Sequence, residues 1–129
     1  MKANRFLLDT DVIIEYLRGR DKAIRYVESL EGELCVSAIT VAELYSGVKD
    51  SDEEAALERF LDAFEVISID RALARLGGLC RQRYQPAHGT GLADAIVAAS
   101  AESAGAALVT FNKRHFPMSK DVVVPYTRS

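Results

Sequence analysis

The fold is decided by residues 5–17, which read RFLLDTDVIIEYL. The mostly apolar residues 5–8 predict a short buried strand that ends at Asp9. The apolar residues beyond it, at positions 12, 13, 16 and 17, recur at helical spacing, and Gly19 ends the helix that they predict. A buried strand that leads directly into a helix is typical of a parallel sheet covered by helices.

The same alternation of strands and helices continues along the chain. Apolar runs predict four more strands, at residues 34–36, 66–69, 107–109 and 122–124. Helical spacing predicts helices over about residues 24–30, 39–48, 57–64, 73–84 and 92–104. Residues 85–91 contain Pro86, Gly89 and Gly91, so we expect a loop there. The pattern predicts an α/β fold with a mostly parallel, five-stranded sheet that has helices on both faces.

The length and composition of the chain are those of one globular domain. Of its 129 residues, 49% are hydrophobic and 27% are charged, and we expect residues 1–129 to form a single domain. No apolar run approaches the roughly 20 residues that span a bilayer, and residues 1–5 lack signal-peptide features, so we expect a cytoplasmic protein. The net charge of −3 argues against nucleic-acid binding through bulk positive charge. Cys35 and Cys80 lack metal-ligand spacing and are predicted to be buried free thiols.

Acidic residues occur where predicted strands meet the following helices. Asp9 and Asp11 follow the first strand. Glu43 lies in the first turns of the helix after the second strand, and Asp94 lies in the first turn of the alanine-rich helix that leads to the fourth. Open parallel sheets bind ligands at the carboxyl ends of their strands, so each of these acids falls near the functional edge.

Each acid also has a purely structural interpretation. Asp11 is a candidate N-cap of the first helix. Residues 40–43, TVAE, fit a capping box in which Glu43 bonds back to the start of its helix. Asp94 suits the dipole at the start of the alanine-rich helix. For each residue alone, both interpretations stay open.

Taken together, the acids favour a metal site. Glu43 and Asp94 lie within apolar stretches without a nearby Lys or Arg, so we expect both to be at least partly buried. Two carboxylates about 5 Å apart repel by roughly 3 kcal/mol at an effective dielectric of about 20. Mg²⁺ or Mn²⁺ would relieve that repulsion and suits carboxylate ligands, whereas the sequence offers no Cys/His cluster for zinc.

Four segments carry a resemblance to a known family. They are residues 7–14 (LLDTDVII), 37–44 (SAITVAEL), 92–99 (LADAIVAA) and 108–116 (LVTFNKRHF). In this order and at this spacing, the chain resembles the PIN-domain ribonucleases, most closely the VapC-type toxins of prokaryotic toxin–antitoxin pairs. The similarity covers about residues 6–126.

The resemblance implies a fold, a site and partners. The fold would be a three-layer α/β/α sandwich. Asp9, Glu43 and Asp94 would form the catalytic cluster that binds Mg²⁺ or Mn²⁺. From the chemistry of phosphodiester hydrolysis we expect Asp9 and Asp94 as direct ligands, and Glu43 either as a direct ligand or bound through a water that it helps to deprotonate. The protein would be a homodimeric ribonuclease toxin of a type II system, with RNA as substrate and a cognate antitoxin that blocks the site.

The chain departs from the family pattern at two positions. The family often has a fourth acid where this chain has Asn112, and commonly Asn or Ser where this chain has Asp11. We hypothesise that Asp11 restores part of the charge that is missing at position 112. Further candidates for contacts with water, phosphate or the RNA backbone are Thr10, Thr110, Lys113, Arg114 and the adjacent His115.

Three other functions remain open from the sequence. A haloacid-dehalogenase-like phosphatase would use Asp9 as nucleophile, which leaves Glu43 without a role. A receiver-type signalling domain would use Asp70 as phospho-acceptor, which leaves both Glu43 and Asp94 unexplained. Asn112 keeps open a catalytically weak PIN-like binding module.

Overall fold

Strands and helices alternate through residues 4–128, the part of the chain that this computed structural model describes. Residues 1–3 and 129 of the predicted domain lie outside the described residues. The prediction that the chain has no signal peptide concerns residues 1–5 and therefore falls largely outside them too. The strands are β1 (Arg5–Leu8), β2 (Glu33–Ser37), β3 (Glu65–Ile67), β4 (Ala107–Val109) and β5 (Val122–Val123). The helices are α1 (Thr10–Leu17), α2 (Asp21–Ser29), α3 (Ala38–Ser46), α4 (Ser51–Leu61), α5 (Arg71–His88) and α6 (Leu92–Ala104), with a short 3-10 turn over Lys113–His115.

The five strands form one parallel sheet in the order β3-β2-β1-β4-β5. From β1 the chain moves outward through β2 to β3, and then crosses to β4 and β5 on the other side. This change of direction lies between β1 and β4, where Leu7 pairs with Leu108. The loops that leave β1 and β4 therefore diverge and open a crevice at the carboxyl edge.

The sheet has a hydrophobic core on each face. Leu8 lies in the core beneath α1, α2, α3 and α4. Its neighbour Leu7 packs on the opposite face against α6, because successive side chains of a strand point to opposite faces. The predicted α/β class and three-layer α/β/α sandwich are confirmed.

Helix α6 is held in place by a close approach to α5. All residues from 95 to 101 are buried, and a Cβ added at Gly77 of α5 would come within 2.5 Å of Ile96. A larger residue at position 77 would therefore require the Ile96 side chain to move. The packing fixes the first turn of α6, which contains Asp94, at the carboxyl edge of the sheet.

The predicted loop over residues 85–91 is wrong in its first half. Helix α5 continues to His88 with Pro86 in its last turn, and only residues 89–91 connect it to α6. Proline at this position removes one i→i−4 hydrogen bond, and the helix ends two residues later. Gly89 ends the helix in the left-handed region at φ 68°, and its N–H donates to the carbonyl oxygen of Gln85.

The structure differs from the prediction at the end of β3 and in the burial of Cys80. The third strand ends at Ile67, two residues earlier than predicted. Cys35 and Cys80 are free thiols as expected, but only Cys35 is fully buried. Among the helices described, none is long and apolar enough to cross a membrane.

Candidate metal centre

Asp9 lies where β1 passes into α1 and is the N-cap of that helix. Its Oδ1 accepts a hydrogen bond from the Thr10 N–H at 2.8 Å, and its Oδ2 accepts one from the Thr110 hydroxyl at 2.8 Å. Thr110 follows β4, so this second hydrogen bond crosses the crevice between the ends of the neighbouring strands β1 and β4. Only 7% of Asp9 is exposed, and its position is therefore closely defined.

The pKa of Asp9 is raised to about 7. Burial is the largest cause, because desolvation penalises the charged form. The negative charges of Asp11 and Asp94 act in the same direction, while the hydrogen bonds from Thr110 and Thr10 oppose the shift. Asp9 therefore lies in an excess of negative charge that a cation would offset.

Asp11 lies in the first turn of α1, so the N-cap interpretation of this residue is wrong. Its Oδ2 accepts hydrogen bonds from the Phe111 N–H at 3.1 Å and from Asn112 Nδ2 at 3.2 Å. Its Oδ1 is buried and has no hydrogen-bond partner within residues 4–128. Burial, with a contribution from Asp94, raises the pKa of Asp11. The free Oδ1 is an oxygen that a cation would satisfy.

Asp94 is the third residue of α6 and combines two functions. Its Oδ2 accepts a hydrogen bond from the Gly91 N–H at 3.2 Å, as expected of an acid in the first turn of a helix. The same Oδ2 lies 3.3 Å from Nδ1 of His115. The carboxylate also raises the pKa of both Asp9 and Asp11. The structural interpretation of Asp94 is confirmed, and it coexists with a place in the acidic cluster.

Glu43 differs from the sequence prediction in two respects. Helix α3 begins at Ala38 with Ser37 as its N-cap, so the predicted capping box at residues 40–43 is wrong. The earlier start places Glu43 in the second turn, and its side chain is exposed rather than buried. Its Oε1 accepts a hydrogen bond of 2.7 Å from the hydroxyl of Thr10. Thr10 thus links the two acids, because its hydroxyl donates to Glu43 and its N–H donates to Asp9.

The donor set fits a hard divalent cation. Carboxylate oxygens predominate, one of them is buried without a partner, and within residues 4–128 no Lys or Arg forms an ion pair with Asp9, Asp11 or Asp94. Among the same residues, no three acidic, His or Cys side chains lie together in the arrangement of a metal site. Mg²⁺ usually keeps several waters and takes only one or two carboxylates from a protein.

Comparison with known proteins identifies the family. The model of the PIN domain matches residues 6–119. The chain belongs to the PIN-domain family. It is 37% identical to Ribonuclease VapC19 of Mycobacterium tuberculosis over 93% of this chain and 98% of that protein. It is 30% identical to the tRNA(fMet)-specific endonuclease VapC of Shigella flexneri, over 87% and 89%. A toxin–antitoxin complex from Klebsiella pneumoniae has a chain with a TM-score of 0.81, 31% identity, and coverage of 93% and 97%.

The other candidate residues of this PIN domain fall into two groups. Lys113 and Arg114 are exposed on the 3-10 turn that places His115 beside Asp94. Asp70 is exposed and caps α5 by accepting a hydrogen bond from the Leu73 N–H at 2.8 Å. A capping role at an edge strand argues against Asp70 as the phospho-acceptor of a receiver domain.

Two contacts near the site were not predicted from the sequence. The guanidinium of Arg128 lies 4.2 Å from the centre of the Phe111 ring, and its positive charge lowers the pKa of Asp11. The second contact joins His115, a predicted candidate for RNA contact, to Asp94. Both contacts join segments that are distant in sequence, so neither left a local signal.

Proposed function

We propose that this PIN domain, spanning residues 1–129, is a Mg²⁺- or Mn²⁺-dependent ribonuclease that acts as the toxin of a type II toxin–antitoxin pair. The observation that carries the proposal is Asp9, a buried carboxylate at the crevice of the sheet whose pKa is raised to about 7. A buried acid in an excess of negative charge is costly unless a cation is bound. The family relationship supports RNA as the substrate.

The proposed ligands are Asp9, Asp94 and Glu43, with Asp11 as a supporting acid. A divalent ion bound there would supply charge relief on the phosphate and activation of the attacking water. Asp9 and Asp94 are proposed to bind directly. Glu43, which is exposed and linked only through the Thr10 hydroxyl, is proposed to bind directly or through a water whose proton it accepts.

The surrounding polar residues orient these acids. The hydroxyls of Thr10 and Thr110 donate to Glu43 and Asp9. The amide of Asn112 donates to Asp11, so its carbonyl oxygen is left for a water or an ion. Lys113 and Arg114, exposed on the turn beside the cluster, are proposed to contact the RNA backbone.

The proposed partners follow from the relatives. The name of the Shigella protein specifies a tRNA, so a structured RNA is the first substrate to test. The Klebsiella structure is a toxin–antitoxin complex, which supports a cognate antitoxin here. We also propose a homodimer, because α5 exposes Leu76 and Leu79 beside a groove of about 700 Å³ against α6. The RNA substrate implies action in the cytoplasm.

The test uses end-labelled tRNAs and other structured RNAs with Mn²⁺ or with EDTA. Wild-type protein is compared with Asp94→Asn and with Asp70→Asn, a matched control because asparagine still caps α5. We expect Mn²⁺-dependent cleavage at defined positions by the wild type and by Asp70→Asn. We expect Asp94→Asn to cleave more than roughly 100-fold more slowly than the wild type. Mutation of a residue that only supports a metal ligand already lowers metal affinity or activity by roughly 10–100-fold, and loss of a ligand should cost more.

Each alternative has its own outcome in this assay. Equal cleavage by wild type and Asp94→Asn would remove the assigned site or reveal a contaminating nuclease. Release of phosphate from small phosphoesters, lost in Asp9→Asn, would favour the phosphatase instead. Binding of RNA with no cleavage under any condition would favour the binding module.

A further inference from the structure

We propose that His115 is a positioning residue for Asp94, and this inference rests on the proposed metal site. The imidazole holds Oδ2 of Asp94 and so leaves Oδ1 as the oxygen that binds the cation. His115 would act through Asp94 and would touch neither the ion nor the RNA.

The first observation concerns the two oxygens of the Asp94 carboxylate. Oδ2 has two neighbours, the Gly91 N–H at 3.2 Å and His115 Nδ1 at 3.3 Å. Within the described residues, Oδ1 has no hydrogen-bond donor. The hydrogen bond from Gly91 and the imidazole beside the same oxygen restrict the plane of the carboxylate, which prepares the other oxygen for a ligand.

The second observation is that His115 is itself held in place. Its carbonyl oxygen accepts a hydrogen bond of 2.7 Å from the hydroxyl of Thr90, a fully buried residue of the α5–α6 connection. Its N–H donates to the carbonyl oxygen of Asn112 at 2.9 Å. The ring also lies near Gly89, where an added Cβ would be 3.7 Å from Nε2. The 3-10 turn and the connection before α6 thus form one unit around the ring.

The contact requires a hydrogen on Nδ1, which both the Nδ1-protonated neutral ring and the imidazolium supply. Without the ring, Oδ2 would keep only the bond from Gly91, and the carboxylate would rotate more freely about its terminal torsion. The ion would then have to order the carboxylate on binding. Removal of such a partner behind a metal ligand typically lowers affinity by roughly 10–100-fold.

The experiment measures Mn²⁺ affinity by calorimetry at fixed pH, so that it does not depend on RNA cleavage. His115→Ala removes the ring, while His115→Asn keeps an N–H donor at the δ position. His88→Ala is the matched control, because His88 is exposed at the end of α5. His115→Ala is also made in the Asp94→Asn background. Circular dichroism melting in EDTA verifies that each variant is folded.

We expect His115→Ala to lower Mn²⁺ affinity by roughly tenfold, His115→Asn to recover most of the loss, and His88→Ala to bind like the wild type. In the Asp94→Asn background, the loss of the ring should add less than about twofold, because the two residues act as one unit. The positioning role is overturned if His115→Ala binds like the wild type, if His115→Asn is no better than alanine, or if the effect persists in Asp94→Asn. Wild-type protein that binds no Mn²⁺ would overturn the metal site, and the positioning role with it.

Discussion

Thr110 donates its hydroxyl hydrogen to Oδ2 of Asp9 at 2.8 Å, across 101 residues of sequence. The two residues follow β4 and β1, neighbouring strands at the centre of the sheet. This bond and the one from the Thr10 N–H stabilise the charged form of a carboxylate that burial destabilises. The pairing of β1 with β4 therefore places a hydrogen-bond donor where it favours the charged form of Asp9, which is the form that binds a cation.

Replacement of Thr110 by valine should weaken cation binding. Thr110 is fully buried, so valine fills the same volume and removes only the hydroxyl. The pKa of Asp9 should rise further, and Mn²⁺ affinity at pH 7 should fall several-fold, because a proton then competes with the ion. Calorimetry measures the change, with Thr110→Ser as the control that keeps the hydroxyl. Equal affinities for the valine and serine variants would contradict the prediction.

The stability of the metal-free protein should fall as the pH rises from about 4 to about 8. The pKa of Asp9 is about 7 in the folded protein against an ordinary value of 3.8, so the folded state binds the extra proton in this range. Each pH step toward 7 removes part of that advantage, and the loss is complete above the folded pKa. The shift corresponds to about 4 kcal/mol at most.

Urea unfolding in EDTA across this pH range measures the loss. Asp9→Asn should remove most of the decrease, and saturating Mn²⁺ at pH 8 should restore stability to the wild type but not to the variant. An EDTA profile of the wild type that is flat, or that rises toward pH 8, would show that Asp9 does not carry an uncompensated charge.

The sequence was sufficient to place Asp9 and Asp94. Each lies at a boundary between a strand or loop and a helix that local patterns predict well, and the carboxyl-edge rule brings such boundaries together. Glu43 was harder, because burial was expected from its apolar neighbours in sequence, and successive residues of a helix lie on different faces. Glu43 is exposed in the second turn of α3. The capping box failed because hydrophobic spacing does not define a helix start to within two residues, and α3 begins at Ala38.

The partners of Asp11 could not be predicted in the same way. The Phe111 N–H and the Asn112 amide reach it from a segment about 100 residues later. That contact depends on the register between β1 and β4, and parallel strands joined through many intervening elements leave no local pattern for their register. The stacking of Arg128 on Phe111 is a tertiary contact of the same kind.

Exchange of the acid and the amide at positions 11 and 112 should be tolerated better than a second acid. Asn112→Asp alone would place a carboxylate where Nδ2 now donates to Asp11 Oδ2 at 3.2 Å. The metal-free protein should then lose roughly 1–3 kcal/mol through repulsion and the lost hydrogen bond. The double variant Asp11→Asn, Asn112→Asp again pairs one donor with one acceptor, but its new amide group would face the Phe111 N–H, so it should recover only part of this loss.

Urea unfolding in EDTA compares the three proteins, and Asp11→Asn is titrated with Mn²⁺. We expect Asp11→Asn to bind Mn²⁺ more weakly than the wild type, because the buried Oδ1 loses its charge. Wild-type affinity in Asp11→Asn would reduce Asp11 to a structural residue. A double variant no more stable than Asn112→Asp would show that the two side chains are not coupled.

The exposed leucines of α5 should determine the oligomeric state. Leu76 and Leu79 are 50% and 47% exposed and lie one helical turn apart, so they form an apolar patch that a second copy would cover. Leu76→Glu with Leu79→Glu should convert a dimer to a monomer in light scattering after size exclusion. The monomer should remain folded, because neither side chain lies in the core, and its melting temperature should fall only by the contribution of dimerisation. Leu17→Glu is the control, since Leu17 is 41% exposed on a helix of the opposite face. A wild-type monomer, or a dimer that survives both glutamates, would contradict the proposed interface.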